Sequence, residues 1–115
     1  MYSRFGNPTV DTFQKRMALL EGAEACWATS SGMSALFTIL MSYLKKGDRV
    51  VSARALFGSC HYIVTEILPK FGIEVKLVDG SNLNQWESAL KKKTKIVFFE
   101  TPSNPCLEIV DITNV

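Results

Sequence analysis

Histidine is nearly missing from this chain: His61 is the only one in 115 residues. A catalytic triad or a His-rich metal centre would have to be built almost without imidazole, so metal chemistry is not expected. Cysteine is scarce and odd in number, with Cys26, Cys60 and Cys106 widely spaced. That excludes a disulfide framework and a paired-cysteine zinc site, and it makes a reducing cytoplasm the expected setting. No apolar run approaches the ~20 residues that a membrane-spanning helix needs. The most apolar stretch, 35–44, is interrupted by Thr38 and Ser42 and reads as a buried helix. Met1-Tyr2-Ser3-Arg4 has no apolar segment of the signal-peptide kind. Charge of one sign is lacking too: 13 Lys and Arg face 11 Asp and Glu, a net +2. The run Lys91-Lys92-Lys93 reads as a solvated helix terminus, so neither nucleic acid nor membrane is an expected partner. Neither the GxGxxG spacing nor a Walker-type lysine occurs, which leaves nucleotide binding without specific support.

What is present is core-forming material: 47% hydrophobic residues against 21% charged, enough for one domain and not two. Periodicity places a helix behind an N-cap at Thr9, with Val10, Phe13, Met17 and Leu20 at helical spacing and a stop at Gly22. Residues 24–28 form a weak strand candidate. Ser30 and Ser31 cap a second helix, 32–44, that is apolar nearly all round. A strand at 49–53, a helix at 59–70 ending near Pro69 and Gly72, and a strand at 73–78 follow. Asn82 then caps a helix with Leu83, Trp86 and Leu90 on one face, and a final strand spans 95–99. Strands alternating with helices at this spacing predict an α/β fold of right-handed βαβ units on a parallel sheet. Ligands of such sheets bind beyond the carboxyl ends of the strands. That selects the loops 29–33 and 53–59, the turn after Asp79, and the loop 100–105.

Each of these regions, and the N-terminal segment, has a chemical reading and a plainer one. Ser31, Gly32 and Met33 open a helix, where unpaired N–H groups and the helix dipole favour a phosphate; equally, Ser-Ser-Gly is an ordinary cap and turn. Tyr2 and Arg4, two apart in an extended segment, face one side and could clamp a phosphate, or belong to a frayed terminus. Asn104, held between Ser103 and Pro105, could orient a ring oxygen or a phenolate, or simply make a turn. Phe57 could stack on a planar cofactor or pack in the core.

Tyr2-Ser3-Arg4-Phe5-Gly6-Asn7-Pro8-Thr9, Ala28-Thr29-Ser30-Ser31-Gly32-Met33-Ser34-Ala35, Ala55-Leu56-Phe57-Gly58-Ser59-Cys60 and Glu100-Thr101-Pro102-Ser103-Asn104-Pro105 occur in this order. Together they resemble the N-terminal part of the large domain of the pyridoxal-phosphate (PLP) enzymes of cysteine and methionine metabolism. These are the cystathionine gamma-synthase-like enzymes, and the resemblance is closest to their O-succinylhomoserine sulfhydrylase branch. It implies the aspartate aminotransferase-like, fold type I architecture, with 1–9 a dimer arm and 10–115 part of the PLP-binding domain. It implies that Gly32 and Met33, with Ser31, hold the cofactor phosphate, and that Tyr2 and Arg4 reach the phosphate of a neighbouring subunit's cofactor. Phe57 would stack where many relatives place a Tyr, a departure that removes a hydroxyl. Asn104 would meet the phenolic oxygen, and Glu100 would lie behind it toward the substrate.

The implied reaction is a gamma-replacement on an activated homoserine ester by a sulfur nucleophile, in a homotetramer of dimers with shared sites. A gamma- or beta-lyase, a cystathionine synthase, or a non-catalytic assembly module are the alternatives. Such chemistry needs a lysine for the cofactor aldehyde and an aspartate for the pyridinium nitrogen. Lys45, Lys46, Lys70, Lys76, Lys91, Lys92, Lys93 and Lys95 fall away from the predicted ligand edge, and no motif marks Asp79 or Asp111. The expectation is therefore a fragment that does not catalyse alone, with the lysine beyond residue 115.

Overall fold

A computed structural model describes residues 2–115. The chain divides into two compact units, residues 1–35 and 36–115, with the boundary inside one helix.

In the first unit, helix α1 spans Pro8–Glu21. Its cap is Asn7 and not the expected Thr9: the Asn7 side chain accepts from the N–H groups of Thr9 and Val10 at 2.9 and 3.4 Å. Pro8 occupies the first helical position, where a missing N–H costs nothing. The helix stops at Gly22, as expected, in a left-handed conformation (φ 62°), where the Ala23 N–H closes onto the Ala18 carbonyl at 2.9 Å. Residues 24–28 do not form the expected strand. Alternation alone does not make a strand when no neighbouring strand offers a ladder, and the Ala28 N–H goes instead to the Gln14 side chain at 2.8 Å. Helix α2, Gly32–Tyr43, follows.

The second unit is built on a parallel sheet of three strands, not four, in the order β2-β1-β3. Strand β1 is Arg49–Ala53, β2 is Glu74–Val78 and β3 is Ile96–Phe98. Central β1 pairs Arg49 through Ala53 with Glu74 through Val78, and Val50 through Ser52 with Ile96 through Phe98. Every residue of β1 is buried, as a strand covered on both faces requires. Alternate side chains feed two cores. Val51 and Ala53 join Val78, Trp86, Ala89 and Val110, while Val50 joins Leu40, Leu44, Leu68 and Ile73. Helix α5, Leu83–Leu90, covers the first face; Asn82 caps it by accepting from the Gln85 N–H. The other face is covered by the later turns of α2 and by a helical run made of α3 (Gly58–Tyr62), a π turn (Ile63–Ile67) and α4 (Leu68–Lys70). Pro69 lacks the N–H that a regular α ladder would use, and the run ends by Gly72, at φ 72°.

At the amino edge of the sheet, the buried guanidinium of Arg49 donates to Glu74, to the Ala89 carbonyl and to the Thr94 hydroxyl at 2.8–2.9 Å. Lys92 also pairs with Glu74, so one carboxylate ties β2 to both β1 and the end of α5. These two cations hold the Glu74 carboxyl below the usual carboxylate range. No helix among the described residues is long and apolar enough to cross a membrane.

Candidate functional site

Parallel pairing of β1 with β3 places their carboxyl ends side by side, and the next residues along each strand can therefore meet. Two residues past β3, Glu100 turns its carboxylate to the loop that follows β1. Both of its oxygens accept from the Phe57 N–H at 3.0 Å, and one also accepts from the Asn104 N–H at 3.4 Å. Phe57 is the residue preceding α3, and it has no side-chain cap of its own. The carboxylate from the neighbouring strand fills that place, where the helix dipole favours an anion. The Cys60 thiol, one turn along, is pushed above the ordinary thiol range by burial first and then by its hydrogen bond to Glu100.

The Phe57 side chain is 43% exposed and belongs to neither core, which removes the packing explanation for it. Asn104 is exposed on a loop whose shape is set by two hydroxyls that the sequence reading passed over. Ser103, 1% exposed, exchanges hydrogen bonds with the Glu108 backbone: its N–H donates to the Glu108 carbonyl, and its Oγ accepts from the Glu108 N–H, both at 3.0 Å. Thr101 Oγ1 accepts from the Val110 N–H at 3.1 Å. Ser and Thr inside a Pro-rich loop were the available signal. After β2, Asp79 is engaged locally: the Ser81 hydroxyl and N–H hold its carboxyl below the usual range.

In the first unit, Ser31 caps α2 by accepting from the Ser34 N–H at 3.1 Å, and its hydroxyl donates to Ser34 Oγ. Gly32 is exposed, and a Cβ placed on it would meet nothing within 4 Å. Met33 is half-buried. Residues 2–5 are not extended as the sequence suggested. They turn, with the Phe5 N–H on the Tyr2 carbonyl at 2.9 Å. The turn still brings Tyr2 and Arg4 together: the guanidinium lies 5.7 Å from the Tyr2 ring centre and 4.8 Å from that of Phe5.

The lysines stand where the sequence put them. Lys45, Lys46, Lys70, Lys91, Lys92, Lys93 and Lys95 precede strands, Lys76 lies within β2, and Lys15 is on α1. None occupies a loop that follows a strand. No group of three or more His, Cys, Asp or Glu that could hold a metal ion occurs among the described residues.

Comparison with known proteins bears on this arrangement directly. The family described as Cys/Met metabolism PLP-dependent enzyme matches residues 1–115. The chain belongs to that family. Its cofactor is pyridoxal phosphate, and its parallel α/β architecture is the one observed. O-succinylhomoserine sulfhydrylase of Mycobacterium tuberculosis is 56% identical over 115 residues, covering 100% of this chain and 28% of that protein. L-methionine gamma-lyase of Fusobacterium nucleatum subsp. polymorphum is 46% identical over 112 residues, covering 97% of this chain and 28% of that protein. Among solved structures, O-acetylhomoserine sulfhydrylase of the methionine biosynthetic pathway of Wolinella succinogenes superposes with a TM-score of 0.86. It is 39% identical, covering 94% of this chain and 32% of that one. The chain thus spans just over a quarter of the length of the curated relatives it matches.

Proposed function

We propose that this chain supplies the cofactor-holding part of an enzyme that exchanges the gamma substituent of an activated homoserine ester for a sulfur nucleophile, forming homocysteine in methionine biosynthesis. Pyridoxal phosphate, when bound, supplies an electron sink that lets the gamma group leave. The backbone N–H groups of Gly32 and Met33 bind its phosphate, with Ser31 shaping the turn. The exposure of Gly32 and the open space at its Cβ position support this, because a helix start is where an anion is favoured. Phe57 presents an exposed ring for stacking, without the hydroxyl that a Tyr would bring for proton transfer. Asn104 orients the phenolic oxygen by hydrogen bonding. Residues 1–9 act as an arm in which Tyr2 and Arg4 reach the phosphate held by a second subunit, and the assembly is a homotetramer of dimers in the cytoplasm. Catalysis is assigned to a protein of the relatives' length, with the aldehyde-holding lysine and the pyridinium-pairing aspartate outside these residues.

The observation that carries this reading is the shared carboxylate of Glu100, which draws the segments of Phe57 and Asn104 together at the carboxyl edge of the sheet. The test is turnover of O-succinylhomoserine with sulfide by the protein extended to the relatives' length. Homocysteine formation is expected. A second reading, gamma-elimination, is favoured by the 46% identity to a methionine gamma-lyase. Methanethiol, ammonia and 2-oxobutanoate from methionine, with no homocysteine from the ester, would select it. Within the 115-residue chain, Gly32→Pro, which removes the Gly32 N–H at a first helical position where proline is tolerated, is expected to weaken PLP binding by about tenfold, the worth of one hydrogen bond. Unaltered binding would overturn the phosphate assignment.

A further inference from the structure

We infer that Glu100 is a positioning residue that locks the Phe57 and Asn104 loops into one unit, with the neighbouring Cys60 thiol as a reporter of its carboxylate. The inference rests on the reading above, in which Phe57 and Asn104 meet the cofactor ring. Its geometry is independent of that reading. Glu100 comes from the end of β3, Phe57 and Cys60 from the start of the helix after β1, and Asn104 from the turn beyond β3. Nothing local in the sequence ties residue 57 to residue 100. The carboxylate receives the Phe57 N–H on both oxygens at 3.0 Å and the Asn104 N–H at 3.4 Å, and it holds the Cys60 thiol. Hydrogen bonds to an ionised acceptor are the stronger kind, and two backbone donors on one carboxylate fix main chain, not merely side chains. The consequence is a coupled pair of loops: the backbone that carries the stacking ring cannot shift without moving the backbone that carries the amide. Glu100 does its work without touching the reacting atoms. A glutamine is nearly the same size, but it keeps only one acceptor oxygen and would turn an N–H₂ toward the Phe57 N–H.

The experiment uses the full chain with Cys26→Ser and Cys106→Ser, which leaves Cys60 as the sole thiol. Its alkylation rate by iodoacetamide is followed against pH, with and without Glu100→Gln. Release from the carboxylate should lower the pH midpoint and speed alkylation at pH 8 by about threefold or more. Glu100→Asp, one methylene shorter, should fall between the two. In parallel, PLP binding is followed by quenching of tryptophan emission. Glu100→Gln should weaken it by about tenfold, whereas Cys60→Ala, which retains both backbone contacts, should bind as the parent does. An unchanged alkylation profile together with unchanged hydrogen exchange at the Phe57 and Asn104 amides in both Glu100 variants would overturn the lock, whatever the cofactor does. A shifted profile with unaltered PLP affinity would overturn the positioning role. Failure of the parent chain to bind PLP would instead strike the functional reading, and the thiol profile with the amide exchange would still decide whether the lock exists.

Discussion

The two units hold themselves together by different means. Residues 36–115 contain every buried apolar side chain among those described, from Leu40 through Val110, around one strand with no exposed residue. Residues 2–35 contain none. Helix α1 buries nothing, and Phe5, Leu19 and Trp27 are 78%, 82% and 83% exposed. What shapes that region is local: the Asn7 cap, the Gly22 stop, the Gln14 side chain on the Ala28 N–H, and the Ser31 cap. Caps and turns contribute about 1 kcal/mol each, whereas burial of one large side chain contributes two or three times as much. Both units leave apolar side chains exposed, Tyr43, Leu107, Ile109 and Ile112 in the second among them, but only the second surrounds a buried core.

The two tryptophans break this comparison most sharply. Trp86 is 1% exposed and donates through its indole N–H to the Gly80 carbonyl at 3.0 Å. Trp86→Ala should cost about 3–5 kcal/mol, enough to unfold much of the sheet unit in a urea titration. Trp27→Ala should lie within about 0.5 kcal/mol of the parent. Equal costs would end the distinction. Next in size is Arg49→Ala, which strands the Ala89 carbonyl and removes one of the two cations on Glu74. About 2 kcal/mol of stability should be lost, read from the same urea midpoint. Asn7→Ala should cost about 1 kcal/mol, confined to the first unit. Hydrogen exchange should quicken at the Thr9 and Val10 amides while Val50 and Val51 stay protected.

The smallest effect is a pH dependence. The folded Glu74 carboxyl titrates below its unfolded value, so its contribution is complete above the ordinary glutamate range. It is lost as pH falls through the lower, folded value. Urea midpoints measured downward from pH 6 should show this loss in the parent and not in Glu74→Gln.

Much of the second unit was legible from residues alone, because its signals are local and its partners are consecutive. Strands 49–53 and 73–78 came within a residue of their ends, and Asn82 was read as the cap it is. Two misses in the first unit have clear physical causes. A strand is not a property of its own residues, so 24–28 could alternate and still find no ladder. At the first helix, the Asn-Pro pair at 7 and 8 was a better start signal than Thr9, since proline suits the first helical position. The Glu100 contact was illegible for another reason. Residues 57 and 100 become neighbours only once the register of β1 with β3 is known, and no periodicity encodes that.

The account turns on Gly32 and Met33 offering their amides to a phosphate. Amide-resolved NMR of the labelled chain, titrated with pyridoxal phosphate, tests this most directly. Saturable shifts at Gly32, Met33 and Ser34, reversed by an excess of inorganic phosphate, are the expected result. Shifts confined to surface lysines, with those three amides unmoved at saturation, would contradict it.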